Sequence, residues 1–157
     1  MKTDKPMQDL YPGNHCFGCG PANEKGLQLK SFPSDDGYVS TFRPSPHHNA
    51  GPEAWLNGGI VATIMDCHSI FTAIADAYVR DERPFASDPL IWYVTGTIAV
   101  RYERPMPIDQ DVRLIAHATG SSGRKTTVHC KLLSGNDTCA TAEVVAIRVA
   151  DEWKSPT

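Results

Sequence analysis

Residues 57–79 read NGGIVATIMDCHSIFTAIADAYV, the longest stretch of the chain that keeps one period. Ile60, Ile64, Cys67, Phe71, Ile74 and Tyr78 recur at three- and four-residue intervals, which predicts one apolar face of a helix from about Gly58 to Val79. Ala62, Asp66, Ser69 and Ala73 fall on a second face of small or short residues, so another backbone or a ligand can approach closely there. The helix is expected to be covered on most sides.

Outward from the helix the period changes to two. Upstream, 26–32 and 38–42 alternate around the turn-like Ser34-Asp35-Asp36-Gly37, a hairpin of two short strands. A loop of prolines, His47, His48, Asn49 and Gly51 leads from the hairpin to the helix. Downstream, after the Pro- and Asp-rich 81–89, Ile98, Val100 and Tyr102 alternate with Thr97, Ala99 and Arg101. Three further strands are expected at roughly 112–118, 126–133 and 138–149, separated by turn signals at 120–123 and 134–137. Two strands, one helix and four strands in sequential hairpins give an α+β fold, in which a single antiparallel sheet wraps the helix. Residues 1–25, rich in Pro, Gly, Asn and charge, are expected to form an irregular arm over the surface of a domain spanning 26–150, with 151–157 as a tail.

Composition narrows the classes. The chain has 157 residues, 41% of them hydrophobic, and a formal net charge of -3, which suits one compact domain without a polyanion-binding surface, so no nucleic-acid partner is expected. The opening MKTDKPMQDL lacks the apolar core of a signal peptide, and no stretch reads as membrane-spanning, so a cytoplasmic location and no membrane partner are expected. Five cysteines are an odd number for a disulfide framework, and reduced thiols are the simplest reading.

Between Glu53 and Asp76, Asp66 is the only residue charged at neutral pH, and it lies mid-helix in the most apolar segment. Burying an unpartnered carboxylate costs several kcal/mol or more, so the position calls for a partner, a raised pKa or a function. The alternative is a solvated or salt-bridged aspartate. Two turns earlier, Asn57 is a favoured N-cap, and Gly58 and Gly59 leave the first helical N–H groups open to developing negative charge. Taken alone, Asn-Gly-Gly is equally a plain cap with a tight turn.

Together these residues resemble the hot-dog thioesterases of the PaaI-like type, whose helix opens His-Gly-Gly with an acid seven residues after the second glycine. Here Asn57-Gly58-Gly59 precedes Asp66 at that spacing. Thr97-Ile98-Ala99-Val100-Arg101-Tyr102-Glu103-Arg104-Pro105 is similar to the family's strand ending in Arg-Pro, and Cys16-Phe17-Gly18-Cys19-Gly20 followed by Gly26-Leu27 is similar to the arm of one subgroup.

The resemblance implies a hot-dog fold and acyl-CoA hydrolysis. Asp66 would act as general base or nucleophile, and the Gly58 N–H of a partner subunit would polarise the carbonyl. Arg124 and Lys125 would meet the CoA phosphates. It also implies a homodimer or dimer of dimers, whose pairing would cover an exposed strand edge. No cofactor is implied.

Two positions depart from the pattern. Asn57 replaces the usual histidine and cannot shuttle protons, and Ile70 stands where some members carry a hydroxyl that holds water. Water would then be held by Asp66 or by His48 and Asn49, with Gly59 beside the substrate. A non-catalytic acyl-CoA binder is the alternative, and enoyl-thioester hydration lacks a recognisable acid–histidine pair. Cys16 and Cys19 form one CxxC beside His15, which could start a zinc site and makes a metal-binding or structural module a further alternative, but a structural site needs four ligands and no second pair follows, so no metal site is expected. Cys67 reads as core, His68 has no evident partner, and the adjacent His47 and His48 read as surface residues. Pocket length would depend on Phe71, Trp55, Trp92 and the 81–89 loop.

Overall fold

In the computed structural model, residues 4–150 and Trp153 are described. The predicted helix is α1, Gly58–Arg80. Asn57 caps it, its side-chain oxygen accepting from the N–H groups of Gly59 at 2.8 Å and Ile60 at 3.3 Å. Arg80 closes the last turn with an ion pair to Asp76 at 2.8 Å.

At 23 residues, α1 is long and apolar enough to cross a bilayer by length and composition, which the sequence reading missed because Asp66, His68 and Asp76 interrupt the apolar run. Its residues nevertheless face protein: Val61, Ile64, Met65, Phe71, Ile74 and Tyr78 are buried against the sheet and the N-terminal arm.

The sheet has six antiparallel strands: β1 (Ser31–Ser34), β2 (Gly37–Phe42), β3 (Trp92–Tyr102), β4 (Val112–Ser122), β5 (Lys125–Ser134) and β6 (Asp137–Val149). Their order is β1-β2-β4-β5-β6-β3, so β3 lies at one edge. Val112, Leu114, Val128, Leu132 and Val144 point at the helix from alternating positions, and Ala116, Ala140, Ala142 and Ala146 leave room for it to sit close. This is the ββ-α-ββββ hot-dog arrangement expected.

The strand limits differ from the sequence reading in three places. β1 begins at Ser31, not residue 26, because Leu27 and Leu29 donate their N–H groups to Phe17 and Gly18 of the arm instead of to β2. β3 begins at Trp92, and a bulge at Gly96 breaks the alternation that would reveal its first half. β4 runs to Ser122 through a second bulge near Thr119, leaving Gly123 and Arg124 as the turn.

The arm is not a surface strap. The 3-10 turn Met7–Leu10 and the residues after it place Met7, Gln8 and Tyr11 at zero exposure. Tyr11 packs on Phe71 and Trp92 and donates to the Ile91 carbonyl at 3.0 Å. Burying a side chain such as Met7 contributes about 1.5–3 kcal/mol, so the arm completes the core.

Gln8 also finishes a buried polar chain that supplies the partners missing for His68. Nε2 of His68 faces the Tyr38 carbonyl at 3.0 Å and therefore donates to it, leaving Nδ1 to accept from the Ser31 hydroxyl at 2.8 Å. Gln8 in turn donates to that hydroxyl and accepts from the Ser31 N–H. Burial pushes the His68 pKa down to about 4, partly opposed by the Tyr38 contact.

Candidate active site

Asp66 sits two turns into α1 on the side that faces β3. Thr95 of β3 donates its hydroxyl to Asp66 Oδ1 at 2.6 Å, fixing the carboxylate from the strand side. Burial raises the Asp66 pKa, Thr95 pulls it back, and the neighbouring Cys16 raises it further. The result is a half-buried carboxylate more basic than a solvated one.

It opens onto a cavity of ≈ 520 Å³ walled by apolar Phe71, Ile74, Trp92 and Val94 on one side. The arm segment from Gly13 to Cys19, with Trp153, closes the other side. Ile70 lines this cavity where the pattern carries a hydroxyl. Of the residues expected to set pocket length, Phe71 and Trp92 line it. Trp55 is instead exposed beside Pro107, and the arm takes the place expected for the 81–89 loop. The tail 151–157 lies, apart from Trp153, outside the described residues.

The other predicted groups, apart from Arg124 and Lys125, gather at the N-terminus of the helix, two turns before Asp66. The Gly58 N–H has no protein acceptor among the described residues, whereas the N–H groups of Gly59 and Ile60 are taken by Asn57. Tyr102 of β3 holds the Gly58 carbonyl at 2.6 Å. His48 accepts the Ser45 N–H at 3.0 Å, stacks on Phe42, and gives its own carbonyl to Asn57. Asn49 bridges to Leu56.

Burial lowers the His48 pKa, with His47 adding to the effect. His47 and His48 meet edge to face, ring centroids 4.4 Å apart. The helix rises about 12 Å between Gly58 and Asp66, so within one chain these two groups cannot meet on one carbonyl. Arg124 and Lys125 lie exposed at the β4–β5 turn, outside the cavity lining.

Three residues of this site escaped the sequence reading. Thr95 lies in the half of β3 hidden by the bulge. Cys16 and Cys19, a CxxC with no second pair in the sequence, converge with Cys67 of α1, and Cys67 is core-packed as expected but turns its sulfur toward the arm. All five cysteines are free thiols. The Sγ atoms of Cys16, Cys19 and Cys67 lie within 4.8 Å of one another, the Cys16–Cys67 pair at 3.6 Å. The Cys16 pKa is pushed down to about 2, chiefly by hydrogen bonds from the Cys19 and Cys67 thiols, while those two thiols are pushed up.

No protein-family model and no curated protein sequence matches the chain. Solved structures do. A thioesterase superfamily protein from Shewanella loihica is 26% identical, with a TM-score of 0.63 over 83% of this chain and 98% of its own. A phenylacetic acid degradation-related putative thioesterase from Ralstonia eutropha superposes with a TM-score of 0.66 at 15% identity, over 83% of this chain and 92% of that one. A Bacillus halodurans protein solved with CoA gives a TM-score of 0.59 at 19% identity, over 78% and 72% of the two chains. The chain therefore has the hot-dog fold of the thioesterase superfamily, the class its helix motif resembles.

Proposed function

We propose that the protein hydrolyses an acyl-CoA thioester to the free acid and CoA at sites shared between two copies of the chain. The observation that carries this reading is the Asp66 carboxylate, half-buried, raised in basicity and held by Thr95 at the wall of an apolar cavity. As general base, Asp66 takes a proton from water as the oxygen adds to the carbonyl, and the proton then follows the departing CoA thiolate. As nucleophile, it forms an anhydride with loss of the thiolate, and water opens the anhydride. In either course the free Gly58 N–H, backed by the helix dipole, receives the carbonyl oxygen. Thr95 supplies beside Asp66 the hydroxyl that Ile70 lacks, and its remaining lone pairs are available to the attacking water.

The donor comes from a second copy, and β3 suggests how. It is an edge strand with Ile98 at 37% and Tyr102 at 50% exposure. The Gly96 bulge brings Thr95 and Tyr102 onto the same, helix-facing side, where Thr95 holds Asp66 and Tyr102 holds Gly58. With the bulge, Thr95 and Gly96 take a single ladder position, so two β3 strands paired antiparallel about an axis through Ala99 lay Thr95 of one copy opposite Tyr102 of the other. Asp66 of one chain then faces Gly58 of its partner, with Asn57, Gly59, His48 and Asn49 around it. The exposed Arg124 and Lys125 offer positive charge to the CoA phosphates.

Thiol release from short, long and aromatic acyl-CoAs tests this, comparing the natural protein with Asp66→Asn. A loss of about 100-fold or more in the variant is expected. Binding of CoA thioesters without thiol release by the natural protein would establish the non-catalytic binder instead.

A further inference from the structure

We propose that Cys16, Cys19 and Cys67 form a zinc site of three thiolates, its fourth position opening into the Asp66 cavity. The site is assembled across the fold. Cys16-Phe17-Gly18-Cys19-Gly20 supplies a CxxC turn on the arm, and α1 supplies the third sulfur next in sequence to Asp66. A zinc ion 2.3 Å from each sulfur in tetrahedral geometry spaces the sulfurs about 3.8 Å apart. The mutual separations within 4.8 Å, with Cys16 and Cys67 at 3.6 Å, need only side-chain adjustment to meet that.

The turn is shaped for this convergence. A Cβ at Gly18 would collide with Cys67 Sγ, and one at Gly20 would collide with the Cys16 N–H and the Asn14 carbonyl, so the two glycines let the turn lie flat on the helix. N–H donors surround the arm sulfurs: the backbones of Gly18 and Cys19 point at Cys16, and Asn14 Nδ2 reaches Cys19 Sγ at 3.9 Å. Such donors favour thiolates over thiols. Soft sulfur ligands in a tetrahedral frame select zinc over hard cations.

Three sulfurs about one point fit a common ion better than a disulfide, which would join two of them and leave the third out of the bond. The open side faces the cavity that His15 and Asp66 also line. Binding releases the thiol protons still held by the three cysteines and staples the arm to α1, fixing one wall of the cavity. This inference does not rest on the hydrolytic reading.

The test uses the full chain, purified under reducing conditions and exchanged against a competing chelator before metal analysis. One zinc per chain is expected. Cobalt(II) in its place is expected to give thiolate charge-transfer absorption, and zinc to raise the Tm. Cys16 is exposed, so Cys16→Ser leaves the core intact; circular dichroism checks its fold, and it is expected to bind zinc at least about 100-fold more weakly. Cys139→Ser, remote from the cluster, is expected to bind like the natural protein.

Failure of the folded natural protein to hold zinc against the chelator would overturn the proposal. So would equal affinity in Cys16→Ser, or recovery of three free thiols instead of five in denaturant. Zinc is counted without substrate: a zinc-bearing protein that releases no thiol would count against hydrolysis alone, and a zinc-free hydrolase against this site alone.

Discussion

Gly58→Pro removes one atom group from the proposed chemistry while leaving the fold in place. Proline at the first helical position forfeits an N–H that no group among the described residues accepts, and its fixed φ suits the start of a helix. Asn57 is already extended, with ψ at 133°, the conformation required before proline. Its bonds to Gly59 and Ile60 are untouched, and a Cβ at position 58 meets only Tyr102, at an ordinary contact distance of 3.5 Å.

The unfolding free energy is therefore expected to stay within about 0.5 kcal/mol of the natural protein's, as for substitutions away from packing. Loss of a single oxyanion donor lowers kcat by about 10²–10³-fold, roughly 3–4 kcal/mol of transition-state stabilisation. Gly58→Ala keeps the N–H and serves as the control. Steady-state thiol release at saturating acyl-CoA reads the difference, and activity in Gly58→Pro within a few-fold of Gly58→Ala would refute the assigned role of that N–H.

Two other perturbations follow from the buried polar groups. Thr95→Val keeps side-chain shape but removes the donor to Asp66, so the carboxylate pKa rises further; the acid limb of the kcat/KM profile should move to higher pH, and an unmoved limb would count against Asp66 as the titrating group. His68 is neutral in the core with its pKa at about 4 against an ordinary 6.5, so below pH 6.5 the unfolded chain binds a proton that the folded chain refuses. Stability should fall by about 2 kcal/mol between pH 7 and pH 5, read by urea denaturation, and a His68 ring titrating near pH 6.5 by NMR would contradict the network.

What the sequence disclosed follows from which interactions are local. The helix was legible because Ile64, Cys67, Phe71, Ile74 and Tyr78 keep one period, and the hairpin between Ser34 and Gly37 because the turn residues announce it. Asp66 stood out as a lone charge in an apolar run, and Asn57 caps as its type predicts. What stayed hidden depends on contacts between distant segments. Met7 and Tyr11 fill the core from an arm whose Pro, Gly and Asn content reads as irregular, and irregular backbone is no bar to buried side chains. Thr95 was masked by the Gly96 bulge, which breaks the alternation that marks a strand. The meeting of Cys16 and Cys19 with Cys67, and of Gln8 and Ser31 with His68, is tertiary and leaves no periodic trace.

The shared site is tested most directly by mixing two inactive variants. Asp66→Asn and Gly58→Pro are combined in equal amounts, allowed to exchange subunits, and assayed for thiol release. A mixed dimer carries one site with both an intact Asp66 and an intact Gly58 N–H from opposite chains, so random pairing of a two-fold dimer should restore about one quarter of natural activity. Activity no greater than the mean of the two variants, in a mixture shown to have exchanged, would contradict an active site built from two chains.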